Sequence, residues 1–322
     1  MKKLTALLLA LSFALIIPVF SSAQPETQSA PVIARAATHF TCGEMQTGSF
    51  GSFPETHSYT VYLQGNKGVA FMAYGAAISY MKVYAPNGSL VGTILPVTYT
   101  ATLYGVLTTP GQNGNYTIQV YGCCGTYYVN CLTGQGKTSN TNTVYNRSNA
   151  AEYAQDYAES YNPNYPNYNK PNGNGDCTNF VSQCVYDAGM PMLVGGTDAH
   201  WYIYNEDERS PSWAGADYFM RHWTKVRSSS YYGRAYEVRI YTPDYIVNNK
   251  SAFGSFLSIG DIVQVLDGSD SEAAHSIIIS QKTNNTSIKY CAHTNDTLNG
   301  DIFTFIANQP KTRWVVAIRI RS

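Results

Sequence analysis

Charged residues are scarce in this chain of 322 residues: Asp, Glu, Lys and Arg make up 13% of it, about half the usual share. The 21 basic residues are balanced by 21 acidic ones, and a chain without a basic surplus has no electrostatic hold on nucleic acid. No Cys-x-x-Cys pair and no His-rich run occurs, which removes the common zinc frameworks. No metal or organic cofactor is therefore called for. After the first two dozen residues no stretch is apolar enough to span a bilayer. With so little charge, the solvated surface is left to Asn, Ser, Thr, Gly and 27 tyrosines.

The N-terminus is different. Lys2 and Lys3 precede an apolar run from Leu4 to Phe20 and small residues up to Ala23, the layout of a secretory signal peptide cut after Ala23. Residues 1–23 are assigned to it, which predicts a secreted protein with no stable membrane insertion after cleavage. Removing two lysines leaves 19 basic against 21 acidic residues, a net charge of −2. The chain has seven cysteines. Export pairs thiols, so an odd count leaves at least one unpaired.

The remaining length divides by rhythm. From residue 38 to 132, segments such as SYTVYLQG, GVAFMAYG, VTYTATLYG and NYTIQVYG alternate between Gly, Pro and Asn turns, with Pro86-Asn87-Gly88 the strongest turn signal. This predicts an all-β sandwich. Residues 133–143, TGQGKTSNTNT, read as a flexible linker. Residues 144–322 read as α+β: a helix capped at Asn149, a Tyr/Asn/Pro-rich loop, a second helix from Cys177 to Ala188 stopped by Gly189, then strands at 260–266, 275–281, 287–293 and 313–320.

The stretch GNGDCTNFVSQC puts Cys177 on the first turn of that second helix. Unpaired N–H groups and the helix dipole favour an anion there, and a nearby imidazole can take the thiol proton. Alternation places His275 in line with Ile277 and Ile279, so a helix packed on the sheet can bring Cys177 to His275. Gly173 and Gly175 let a substrate backbone approach, Asp176 serves as the helix cap, and the N–H of Cys177 points at a developing oxyanion. The alternative is a disulfide half or a buried small hydrophobe. Trp201, Tyr202, Trp213 and Trp223 suit either a substrate groove or, more in keeping with their type, the core.

YNRSNAAEYAQDYAESYNPNY, GDCTNFVSQC, SPSW, GDIVQV, AHSIIIS and CAHTND follow one another across nearly all of 145–320, and in that order this half resembles the bacterial putative amidase domain family of papain-like cysteine hydrolases. The resemblance implies a papain-like domain cleaving an amide or peptide bond, with Cys177 as nucleophile, His275 as general base and a polar residue on the next strand orienting the imidazole. His293 is the choice for that third role, with Asn295 and Asp296 as competitors. SYTVYLQG, MKVYAPNGSLVG and PGQNGNYTIQVYG in the first half resemble the pre-peptidase C-terminal domains of secreted enzymes. Such a β-sandwich is suited to an extracellular polymer as partner. Cys42 with Cys131 would tie its ends, and Cys184 with Cys291 would join helix and strand, leaving Cys177 single; sequence does not select a pairing. Peptide or amide is the implied substrate, with cell-wall peptides among the candidates. Two other classes fit the same residues: a transamidase using this site, and a non-catalytic extracellular binding or adhesion protein.

Overall fold

The computed structural model describes residues 37–51, 55–96, 103–135, 137, 144–169, 175–197, 200–226, 233–267, 272–310 and 313–320. The leader assigned to 1–23, Gly173 and most of the linker assigned to 133–143 lie outside the described residues.

Alternating Val, Tyr and Thr segments form seven strands: β1 (Thr38–Phe40), β2 (Gln46–Phe50), β3 (Glu55–Leu63), β4 (Gly68–Tyr84), β5 (Leu90–Ile94), β6 (Leu103–Thr108) and β7 (Gly114–Thr133). They are ordered β1-β3-β7-β4-β5, with β2 attached to β7 and β6 to β4. All pairs are antiparallel except β1 with β3. The 17-residue β4 and 20-residue β7 bend where Gly75, Cys124 and Gly125 take φ values of 120°, 56° and 120°. Gly75 is needed at its bend, because a Cβ there would meet the Thr126 carbonyl oxygen at 2.6 Å. The bends fold the strands into a β-sandwich over a core that includes Phe71, Val83, Ile118 and Tyr127.

The second half begins with α1 (Arg147–Tyr157), two residues before the expected start. Asn146, not Asn149, is its cap, accepting from the N–H groups of Ser148 and Asn149. Next come α2 (Cys177–Asp187), α3 (Pro211–Ala214) and α4 (Ala216–Trp223). Gly189 follows α2 with φ 96°, the left-handed stop that its sequence predicts. The chain then runs β8 (Glu237–Tyr241), α5 (Pro243–Asn248), α6 (Lys250–Phe256), β9 (Ile262–Leu266), β10 (Ala273–Asn284), β11 (Ser287–Ala292), β12 (Thr297–Asp301), α7 (Ile302–Ala307) and β13 (Trp314–Arg319). β8 and β12 were not anticipated. EVRIY is short, and the Asn299-Gly300 step inside β12 reads as a turn.

These six strands form an antiparallel sheet ordered β12-β11-β10-β9-β13-β8. Its central strands are buried from both sides. Ile262, Leu266, Ile278, Val316 and Ile318 join α1, α2 and α4 in one core, while Val263, Ile277, Ile279, Val315 and Ala317 join α5, α6 and α7 in another. This explains why IVQVL and WVVAIR are near-continuous apolar runs. Helices expected only ahead of the sheet therefore also interleave with its strands and cover its second face.

The start of the presumed linker is ordered. Gln135 is buried; its carbonyl accepts from Val238 N–H at 2.8 Å, and its amide donates to the Ala235 carbonyl at 2.7 Å.

Candidate active site

The polar residues around Cys177 are almost all spent on structure. Asn179 accepts from the Trp213 indole at 2.8 Å, Ser182 accepts from the Trp201 indole at 2.9 Å and donates to the Trp213 carbonyl at 2.7 Å, and Tyr153 donates to Gln183 at 2.8 Å. Thr178 and Ser276 exchange a hydroxyl hydrogen bond at 2.9 Å, tying α2 to β10. Buried polar groups without such partners would cost about 1–3 kcal/mol each. Trp201 and Trp213 stack with ring centroids 4.9 Å apart, and Trp201 meets Trp223 edge-on at 5.4 Å. All three are fully buried, so they are core and not groove, whereas Tyr202 is half-buried.

Asp176 does not cap α2 with its side chain. Its carboxylate is completely buried and sits 2.6 Å from His293 Nδ1, while accepting from Tyr168 N–H and the Asn179 amide at 2.9 Å each. His293 Nε2 is 2.7 Å from the Tyr157 carbonyl oxygen. Both neighbours of the ring are acceptors, so each ring nitrogen faces an oxygen. Its ring stacks on Phe180 at 4.0 Å. His293 thus has no nitrogen left to orient His275. The Asp176 carboxylate is enclosed by the His293 ring, the Tyr168 N–H and the Asn179 amide. Of the competing residues, Asp296 accepts from the Tyr161 hydroxyl at 3.0 Å, and Asn295 is exposed.

Thr294 does the capping, and the sequence reading missed it. Its Oγ1 accepts from Asp176 N–H at 2.8 Å and from Cys177 N–H at 3.2 Å. Its φ is 82°, a genuine outlier for a β-branched residue. The Cys177 N–H expected to face an oxyanion is therefore already bonded. Gly175, at φ 91°, makes room: a Cβ there would meet Thr294 Oγ1 at 2.8 Å.

Cys177 is half-buried, with Sγ 3.7 Å from Thr178 Oγ1. Burial pushes its thiol up, while the backbone amide of Ser276 and the hydroxyls of Thr178 and Thr294 act in the opposite sense. The sulfur thus lies against the backbone just after His275. The imidazole belongs to the other face of β10, with Phe305 at 5.9 Å, on the side of Ile277 and Ile279. Burial and the nearby Arg313 cation lower His275 to about 4. The structure brings Cys177 to the strand of His275 and aims the two side chains differently.

All seven cysteines are thiols. Cys42 and Cys131 have sulfurs 2.7 Å apart, and Cys184 lies in the same core as Cys291. Among the described residues, no cluster of three His, Cys, Asp or Glu side chains forms a metal site, and no helix is long and apolar enough to cross a membrane.

A family model described as "Putative amidase domain" matches residues 144–317, more than half of the chain. The chain belongs to this amidase family. The second half, with its two helical faces and antiparallel sheet, is therefore an amidase domain, a hydrolase of amides. No curated protein matches the sequence. Several solved structures resemble part of it, among them these three. The pre-peptidase C-terminal domain of a collagenase from Bacillus anthracis is 15% identical, over 30% of this chain and 94% of that one, with a TM-score of 0.25. PliG of Aeromonas hydrophila, a periplasmic inhibitor of g-type lysozyme, is 18% identical over 30% and 99%, with a TM-score of 0.21. A family 6 carbohydrate-binding module is 11% identical over 31% and 98%, with a TM-score of 0.20.

Proposed function

We propose that this amidase is a secreted papain-like cysteine hydrolase of peptide amides outside the cell, cell-wall peptides among its candidate substrates, with Cys177 as nucleophile and His275 as general base. One observation carries the reading: at the first turn of α2 the Cys177 sulfur meets hydrogen-bond donors, the Thr178 hydroxyl and the Ser276 amide, that favour a thiolate, and it lies against the backbone that follows His275. The leader at residues 1–23 supports export.

A thiol raised by burial and an imidazole lowered to about 4 are both neutral at pH 7, which suits base-assisted attack. Sγ bonds to the amide carbonyl carbon as His275 takes its proton, which requires the ring to turn from Phe305 toward the sulfur. The oxyanion replaces Thr294 Oγ1 on the Cys177 N–H. Collapse breaks the C–N bond, His275 gives its proton to the leaving amine, and a thioester remains. Water then adds to that carbonyl, losing a proton to His275; the acid departs, and the sulfur recovers the proton.

Alkylation with iodoacetamide between pH 6 and pH 9, mapped by mass spectrometry, tests this. Cys177 should react faster in the unmodified protein than in His275→Ala, and hydrolysis of a peptide amide should disappear in Cys177→Ser. Equal labelling rates in the two proteins would remove His275 from the mechanism.

A further inference from the structure

β8 is an outer strand of the six-stranded sheet. The N–H of Val238 bonds to the Gln135 carbonyl and so points away from β13. Residues two apart in an antiparallel strand direct their backbone groups the same way. The N–H and C=O of Ile240 therefore also point outward, and among the described residues nothing bonds them.

They open onto a cleft of about 750 Å³ where the β-sandwich, the ordered start of the connecting segment and the amidase domain meet, a volume in the range of ligand pockets. Its charged lining is Lys67, Lys137 and Arg239 against Glu237, three cations to one anion, or +2. The anion is occupied: Arg239 donates to Glu237 Oε1 at 3.0 and 2.8 Å. Neither lysine has an ion pair among the described residues. Tyr245, stacked on Tyr241 with centroids 5.7 Å apart, adds an aromatic wall.

We propose that this cleft binds an extended peptide with acidic side chains, which adds a strand to β8 through the backbone of Ile240 and sets its carboxylates against Lys67 and Lys137. Strand addition supplies affinity through the main chain, and the lysines supply the preference for acid. β8 is three strands from β10, about 14 Å at the usual spacing, so the site is separate from Cys177 and does not depend on the hydrolase reading.

The test uses the full chain carrying Cys177→Ser, so that binding is measured without turnover. A fluorescein-labelled octapeptide alternating Val and Glu is titrated by anisotropy. It should bind, and the Lys67→Glu/Lys137→Glu double variant should weaken it by about ten-fold or more. Replacing Glu by Lys in the peptide should abolish binding. N-methylation of alternate peptide amides should weaken it similarly, since those groups would lose their partner on β8. Unchanged tryptophan fluorescence in the double variant confirms folding. Failure of the Val/Glu peptide to bind, or undiminished binding to the double variant, would overturn the site; a methylated peptide that binds equally well would reduce it to plain attraction between opposite charges and overturn strand addition.

Discussion

Replacing Thr294 by valine keeps the shape and the unfavourable backbone of this residue and removes only the oxygen that receives two N–H groups at the start of α2. Loss of such a cap costs about 0.5–2 kcal/mol, and here one acceptor serves two donors, so the upper half, about 1–2 kcal/mol, is expected. Urea unfolding, followed by the fluorescence of the four buried tryptophans, reads this as a midpoint lowered by roughly 0.3–1 M at an m-value of about 2–3 kcal/mol/M. Thr294→Ser retains the oxygen and should stay within about 0.5 kcal/mol of the parent. Thr294 also favours the thiolate of Cys177, so the valine variant should be alkylated more slowly at that cysteine, and the serine variant should not. A valine variant as stable as the parent, or a serine variant as damaged as valine, would refute the capping role.

Asp176→Asn disrupts the buried carboxylate that meets His293 Nδ1, the Tyr168 N–H and the Asn179 amide, and a buried polar group left without its partner costs about 1–3 kcal/mol; chemical denaturation should show a loss in that range. The acid stability of the fold should carry the signature of His275. Its value in the folded chain, about 4, lies below 6.5, so the unfolded chain takes the proton first as the pH falls. This contribution is complete above about 6.5 and is lost toward about 4, amounting to at most about 3 kcal/mol. His275→Asn should flatten the stability profile over that window; a slope there that is unchanged would place the titrating group elsewhere.

Much of this protein was legible because short-range signals dominate it. Alternation in SYTVYLQG and NYTIQVYG, the unbroken apolar runs IVQVL and WVVAIR, and Gly189 after α2 each depend on a few neighbouring residues, and each element lies where its pattern puts it. The ordered march of motifs was enough to reach the amidase family. Where the reading failed, the competing interaction was remote in sequence. α1 begins at Arg147 because Asn146 finds two N–H groups before Asn149 can act as cap. Gln135 escaped notice because its partner strand lies about a hundred residues away.

The site shows the same division. That a thiol should sit on the first turn of a helix is a property of GDCTNFVSQC alone, since helix ends are set by local backbone chemistry. That His293 belongs to Asp176 and the Tyr157 carbonyl, and that Thr294 holds the N–H of Cys177, depends on the turn after β11 meeting the start of α2, across 117 residues. Sequence alternation predicts which face of a strand a side chain takes, and His275 does lie on the face of Ile277 and Ile279. Which of the two faces receives α2 was decided by packing, because both faces of this sheet are apolar and only the assembled helices distinguish them.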